Sequence, residues 1–149
     1  MTTTTNSGRT QYATFLVGAH YLGIGVSDVQ EVLREQPVTP VPLSPTMVAG
    51  LINLRGQIVP QLDMRRLLHL PPRAPESATF SVVVRTEDGA VSLLVDEIDD
   101  VVELDASSSE HPPQNADSYV RALLLGVHQM PHRLLLVLDV RRIVDVGGD

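Results

Sequence analysis

Residues 50–68 read GLINLRGQIVPQLDMRRLL, and residues 126–144 read GVHQMPHRLLLVLDVRRIV. The two stretches align without a gap at a shift of 76 residues. Gly50/Gly126, Leu62/Leu138, Asp63/Asp139, Arg65/Arg141 and Arg66/Arg142 are identical pairs, and most other positions keep their apolar character. A period this long exceeds that of solenoid repeats and points to one duplicated unit. In each copy two apolar runs flank a turn and lead into L-D-x-R-R, the pattern of a hairpin followed by a short helix. Asp63 and Asp139 stand where an N-cap accepts the free N–H groups of a first helical turn. Leu62 with Leu67, and Leu138 with Ile143, have the spacing of a hydrophobic staple. These aspartates are helix caps in this reading, not catalytic bases.

Outward from the repeat, the chain is a series of short Val-, Ile- and Leu-rich runs broken by Gly, Pro, Asp or Ser, which predicts a mainly β protein. Strands are expected near Tyr12–Gly18, Tyr21–Val26, Val38–Pro42, Gly50–Leu54, Gln57–Leu62, Thr79–Arg85, Val91–Val95, Asp100–Leu104, Leu123–Val127 and Arg133–Leu138. Asn53 and Arg55-Gly56 mark one tight turn, and Asp88-Gly89 marks another. A weaker echo links Val26-x-x-Val29-x-x-Val32 with Val95-x-x-Ile98-x-x-Val101. Together these predict two related β-subdomains with short helices inside one domain over residues 12–149. The first repeat covers about 21–70 and the second about 79–146, and a polar tail, residues 1–11, is expected to be disordered. The Pro71–Pro75 loop is the boundary between the halves.

Composition excludes much chemistry. All 11 basic residues are Arg against 18 acidic residues, so the net charge is −7 and a phosphate-tracking surface for nucleic acid is not expected. Without Lys there is no Schiff base or phosphate-loop lysine, and without Cys no thiolate nucleophile, disulfide or cysteine metal site. No stretch reads as a membrane span or signal peptide, so a cytoplasmic protein without direct membrane insertion is expected. His128 and His132 are spaced for a metal only on a helix. Pro131 and the repeat place them on a hairpin turn, and no metal or other cofactor is expected. A hydrolytic or small-molecule-binding barrel built on that hairpin is the remaining enzyme-like reading. The acidic run from Asp96 to Asp105, with Val95, Ile98, Val101, Val102 and Leu104 on a buried face, reads as a solvated flank or a dock for a basic partner. Glu31, among apolar neighbours, and Arg55, at a turn where Asn or Asp would serve, suit equally a subdomain junction or a grip on a partner.

The same segments resemble the CheW-like chemotaxis coupling family. The matching residues are Val29-Gln-Glu-Val32 with Val38-Thr-Pro-Val-Pro42, Asn53-Leu-Arg-Gly-Gln-Ile-Val-Pro60, Leu62-Asp-Met-Arg65 and Val95-Asp-Glu-Ile-Asp-Asp-Val101. The resemblance implies two intertwined five-stranded SH3-like barrels and no enzymatic activity. It implies an adaptor between the helical hairpin tip of a chemoreceptor (a methyl-accepting chemotaxis protein) and the regulatory domain of a CheA-type histidine kinase, recruited to membrane receptor arrays. Alternatively, the adaptor serves a type IV pilus or developmental chemosensory pathway. Carried over by motif, Val29, Glu31, Arg55, Ile98 and Val101 line a receptor groove, and Val38, Val41 and Gly50 lie where the first barrel meets the kinase. Asn53, Gly56, Asp63 and Asp139 belong to the structural motif.

Overall fold

The computed structural model describes residues 8–147. Five strands fall in each half: β1 Arg9–Val17, β2 His20–Gly25, β3 Val29–Arg34, β4 Val48–Leu54 and β5 Gln57–Asp63, then β6 Phe80–Thr86, β7 Gly89–Val95, β8 Glu97–Asp105, β9 Leu124–Gln129 and β10 Leu134–Leu138. Short helices α1 (Met64–Leu67), α2 (Ser118–Arg121) and α3 (Val140–Gly147) follow β5, precede β9 and follow β10. Residues 1–7 of the expected tail lie outside the described residues. Residues 9–11, also assigned to that tail, are strand, because Arg9, Thr10 and Gln11 pair with Asp105, Leu104 and Glu103.

One expected strand is misplaced. Val38–Pro42 is not a strand: Pro40 and Pro42 have no N–H to give, and only Thr39 pairs, with Leu51 of β4. The strand is instead β3, where Val29, Glu31 and Leu33 are half-buried and alternate with exposed Gln30, Val32 and Arg34.

Sheet A has the order β8-β1-β2-β10-β9 and sheet B the order β3-β6-β7-β5-β4. Advancing each strand of sheet A by five places round the chain gives sheet B, so each sheet is made from both halves. The register repeats as well. The parallel pair Val137–Gly23 of sheet A has Gln61–Ser92 as its counterpart in sheet B. One large core, with Phe15, Leu22, Ile24, Leu62, Leu93, Leu123 and Ile143, is shared by both sheets. Each sheet also has a small interior of its own: Tyr12, Tyr21, Leu135 and Val137 in A, and Ile52, Leu54, Val59 and Val83 in B. Full burial of such side chains contributes about 1.5–3 kcal/mol each before entropy is counted, so the inter-sheet core is the main cohesive element. Two curled sheets sharing one core are a pair of SH3-like barrels. No helix among the described residues is long and apolar enough to cross a membrane.

The L-D-x-R-R motif acts locally in both copies. Asp63 Oδ1 accepts the Arg65 N–H at 2.9 Å, and Asp139 Oδ1 accepts the Arg141 N–H at 3.0 Å. The second arginine of each pair, Arg66 or Arg142, returns to its capping aspartate at 3.6 or 3.5 Å. It also donates to a carbonyl of the neighbouring strand, Val48 or Leu124.

Candidate functional site

In sheet B, β3 and β4 stand at opposite ends of the strand order, and the ion pair between Glu31 and Arg55 ties them together. The β4–β5 turn holds Arg55 and Gly56 at φ 51° and 90°, the left-handed pair of a two-residue hairpin turn. Asn53 Oδ1 accepts the Gly56 N–H at 2.8 Å and stabilises that turn. Glu31 reaches the seam because β3 is bulged: Val29 pairs with Val84 and Glu31 with Val83. The extra residue re-aims the side chains that follow it. Arg55 remains 69% exposed and Glu31 21%, so the guanidinium is open to solvent while it closes the barrel.

Sheet A has an equivalent seam. A bulge in β8 between the Val101–Ala13 and Ile98–Phe15 pairs brings Asp99 to Arg133, beside the β9–β10 turn, at 2.7 Å. Arg133 also lies over the Tyr21 ring, 3.6 Å from its centroid, a cation–π contact. The Arg133 hydrogen bond holds the Asp99 carboxyl below its ordinary range, and the same bond raises Arg133. The bulge alters the expected burial of β8. Val102 and Leu104 pack inward, whereas Ile98 and Val101, assigned to the buried face, are 38% and 59% exposed.

A strap crosses the outer edge of each barrel. Thr39 exchanges two backbone hydrogen bonds with Leu51 of β4, both 2.8 Å, and Glu110 exchanges two with Val127 of β9, at 2.8 and 2.9 Å. The repeated glycines are the seats of these straps. A Cβ on Gly50 would lie 2.4 Å from the Thr39 carbonyl oxygen and 2.7 Å from Val38 Cγ1, and one on Gly126 would lie 2.5 Å from Ser109 Oγ. Just past the first strap, Val41-Pro-Leu-Ser44 forms a turn closed by Ser44 N–H to the Val41 carbonyl, with Leu43 at φ 64° and fully exposed. Leu is poorly suited to this φ and gains no burial there. Leu43→Asn is expected to stabilise the isolated protein by about 1 kcal/mol, read by urea unfolding. A lower midpoint would show that Leu43 packs against the fold.

The predicted residues thus form separate groups. Glu31 and Arg55 meet; Val38 and Gly50 meet, with Gly50 buried beneath the strap; Val29 packs on the shared core. Ile98 and Val101 lie on the edge strand of the other sheet, not on the sheet that carries Val29 and Glu31. Sequence reasoning missed Arg133, Tyr21 and Leu43, and read Asp99 only as one member of an acidic run. The seam residues depend on bulges, and no composition pattern in β3 or β8 marks these.

The histidine hairpin differs from expectation. His128 is not on a turn but inside β9 and buried, while His132 is exposed at the turn, so the two imidazoles do not share a face. Among the described residues no three His, Asp or Glu side chains cluster in a way that would hold a metal.

Paired barrels with bulged, solvent-facing seams and strapped edges are the architecture of a known class of signalling scaffolds, as comparison with known proteins shows. Residues 11–147 match the CheW-like domain, and the chain belongs to that family. Chemotaxis protein CheW of Treponema pallidum is 28% identical over 142 residues, covering 93% of this chain and 84% of that protein. Protein FrzA of Myxococcus xanthus is 38% identical over 58 residues, 39% of this chain and 36% of its own length. The crystal structure of the scaffolding protein TtCheW from Thermoanaerobacter tengcongensis superposes with a TM-score of 0.82 at 24% identity, covering 94% of this chain and 95% of that one, which shows the shared fold. This places the chain among the scaffold proteins of chemotaxis signalling.

Proposed function

We propose that this chain couples the cytoplasmic tip of a chemoreceptor to the regulatory domain of a CheA-type histidine kinase, at membrane receptor arrays. The receptor's helical hairpin lies against Val29, Glu31 and Arg55, with Ile98 and Val101 as a second wall, and the kinase meets Val38, Val41 and the strap seated on Gly50. The observation that carries this reading is the Glu31–Arg55 pair. It stands at a barrel seam with its guanidinium mostly in solvent, on a turn residue held at positive φ. Exposed pairs of this kind add about 0–1 kcal/mol to folding, so stability alone is a weak reason for an arginine there. A surface edged by such charges suits a helix that carries its anchors on one face.

Calorimetric titration with receptor-tip and kinase-domain fragments tests the assignment. Glu31→Arg and Arg55→Glu are each expected to weaken receptor binding by about tenfold or more while changing the unfolding free energy by less than about 1 kcal/mol. Val41→Asp should weaken kinase binding and leave receptor binding unchanged. Wild-type affinities in all three variants would remove these surfaces from the proposal, and the receptor that co-purifies would identify the pathway.

A further inference from the structure

Barrel A has a buried histidine where barrel B, its internal copy, has isoleucine. His128 of β9 corresponds to Ile52 of β4, and the two are 2% and 1% exposed. An aliphatic side chain therefore meets the packing requirement at this place in the barrel. The imidazole lies beneath the second strap, with Nδ1 3.1 Å from Ser108 Oγ. The single proton of that hydroxyl is donated to the Asp105 carbonyl at 2.7 Å. Ser108 Oγ is then the acceptor towards the ring, so Nδ1 carries the imidazole proton and Nε2 keeps the lone pair. Nε2 is sealed from solvent and has no partner among the described residues.

The surroundings fix what a second proton would do. From β1 the ring faces Tyr12, with centroids 5.6 Å apart. From β10 its register partner is Leu135. The 3-10 turn over it offers the neutral Ser108, and the Asp105 carboxylate beyond is occupied by the Ser107 N–H and hydroxyl. The strap contributes Glu110, whose charge favours protonation. Burial outweighs it and holds the imidazole below its ordinary value.

We propose that His128 is a proton-sensitive latch: uptake of a solvent proton at Nε2 releases the Ser108–Glu110 strap from β9. The imidazolium carries a new N–H donor with no acceptor inside the seal, and such a group is costly to keep dry. Lifting the strap breaks the Glu110–Val127 pairing, admits water and brings the Glu110 carboxylate within reach of the cation. The closed strap is fully favoured above the ordinary histidine value of about 6.5 and is lost progressively as pH falls below it. Barrel B provides a control in the same molecule, because its strap pairs Thr39 with Leu51 in front of Ile52.

Amide hydrogen exchange on the full chain, read residue by residue by NMR and corrected for intrinsic rates, tests the latch. Between about pH 7.5 and 5.5, protection of the Glu110 and Val127 amides is expected to fall about tenfold relative to that of Thr39 and Leu51. Imidazole nitrogen shifts should show the Nδ1–H tautomer at the upper pH. His128→Ile should make both straps pH-independent. Equal loss of protection at the two straps, or a selective loss that persists in His128→Ile, overturns the proposal. If that variant does not fold, the comparison of straps within the wild-type chain still decides.

Discussion

Gly50→Ala is expected to lower the free energy of unfolding by about 3 kcal/mol, and Gly126→Ala by about 1 kcal/mol. Both glycines seat a strap, but what their new methyl groups would meet differs. At Gly50 the nearest atoms are the Thr39 carbonyl oxygen at 2.4 Å and carbon at 2.9 Å, backbone held by two hydrogen bonds to β4, and φ is 152°. Nothing there yields without breaking the bridge. At Gly126 the nearest atom is a serine hydroxyl, which changes rotamer at small cost, and the backbone oxygen of Glu110 is 3.1 Å away. Urea unfolding of the two variants beside wild type measures the contrast, and equal costs would show that strap geometry is not what retains glycine. The experiment also separates two roles of Gly50. Loss of kinase binding in a variant of undiminished stability would make it a contact; loss in proportion to stability makes it the support of Val38 and Thr39.

The second large effect is expected at Asp96, between β7 and β8. Its carboxylate accepts the Gly18 N–H at 2.7 Å, Arg65 Nη2 at 2.8 Å and Arg73 Nε at 2.9 Å. These bonds tie the β1–β2 turn of sheet A to α1 and to the mid-chain loop. Burial works against ionisation of Asp96, but the bonds from Arg65, Gly18 and Arg73 together hold its carboxyl below the usual carboxylate range. Asp96→Asn leaves two half-buried guanidinium groups short of a counter-charge and should cost about 2–3 kcal/mol. Because the folded-state value is depressed, the stabilisation is complete above the unfolded value of about 4 and is lost as pH falls through the lower folded one. Wild type should therefore lose stability on acidification below about pH 4 more steeply than Asp96→Asn, measured by thermal unfolding. Parallel curves would place the acid sensitivity elsewhere.

What the sequence made legible followed from local rules. The capping aspartates, the Arg55-Gly56 turn and the strand-rich halves each depend on residues within a few positions of one another, and the repeat doubled every such signal. What it hid was non-local. Val38–Pro42 has the apolar content of a strand, but its prolines lack the donors for a ladder, while β3 was obscured by Glu31 on its inward face. Ile98 and Val101 were assigned to one buried face with Val102 and Leu104; Val101 alternates with Val102 and so points out, and the bulge turns Ile98 out as well. His128 was placed on a turn because the hairpin was positioned too early. Glu31 and Arg55 left two readings open. The geometry answers only part of this: the pair closes the seam of one barrel, sheet B, and not the junction between the two subdomains, with the guanidinium still open to solvent.

The exchange of strands between the two halves bears on ancestry. Since neither half contains a complete sheet, a half-length chain has no barrel to fold into alone. Two identical half-length chains, each lending strands to the other, would build both barrels at once, with a true two-fold axis through the shared core. The present molecule has the form of such a pair joined end to end through the Pro71–Pro75 loop. Joining freed the copies to diverge, so that one retains Ile52 and Arg55 where the other has His128 and Pro131. A symmetric dimer cannot give its two faces different residues; a fused one can.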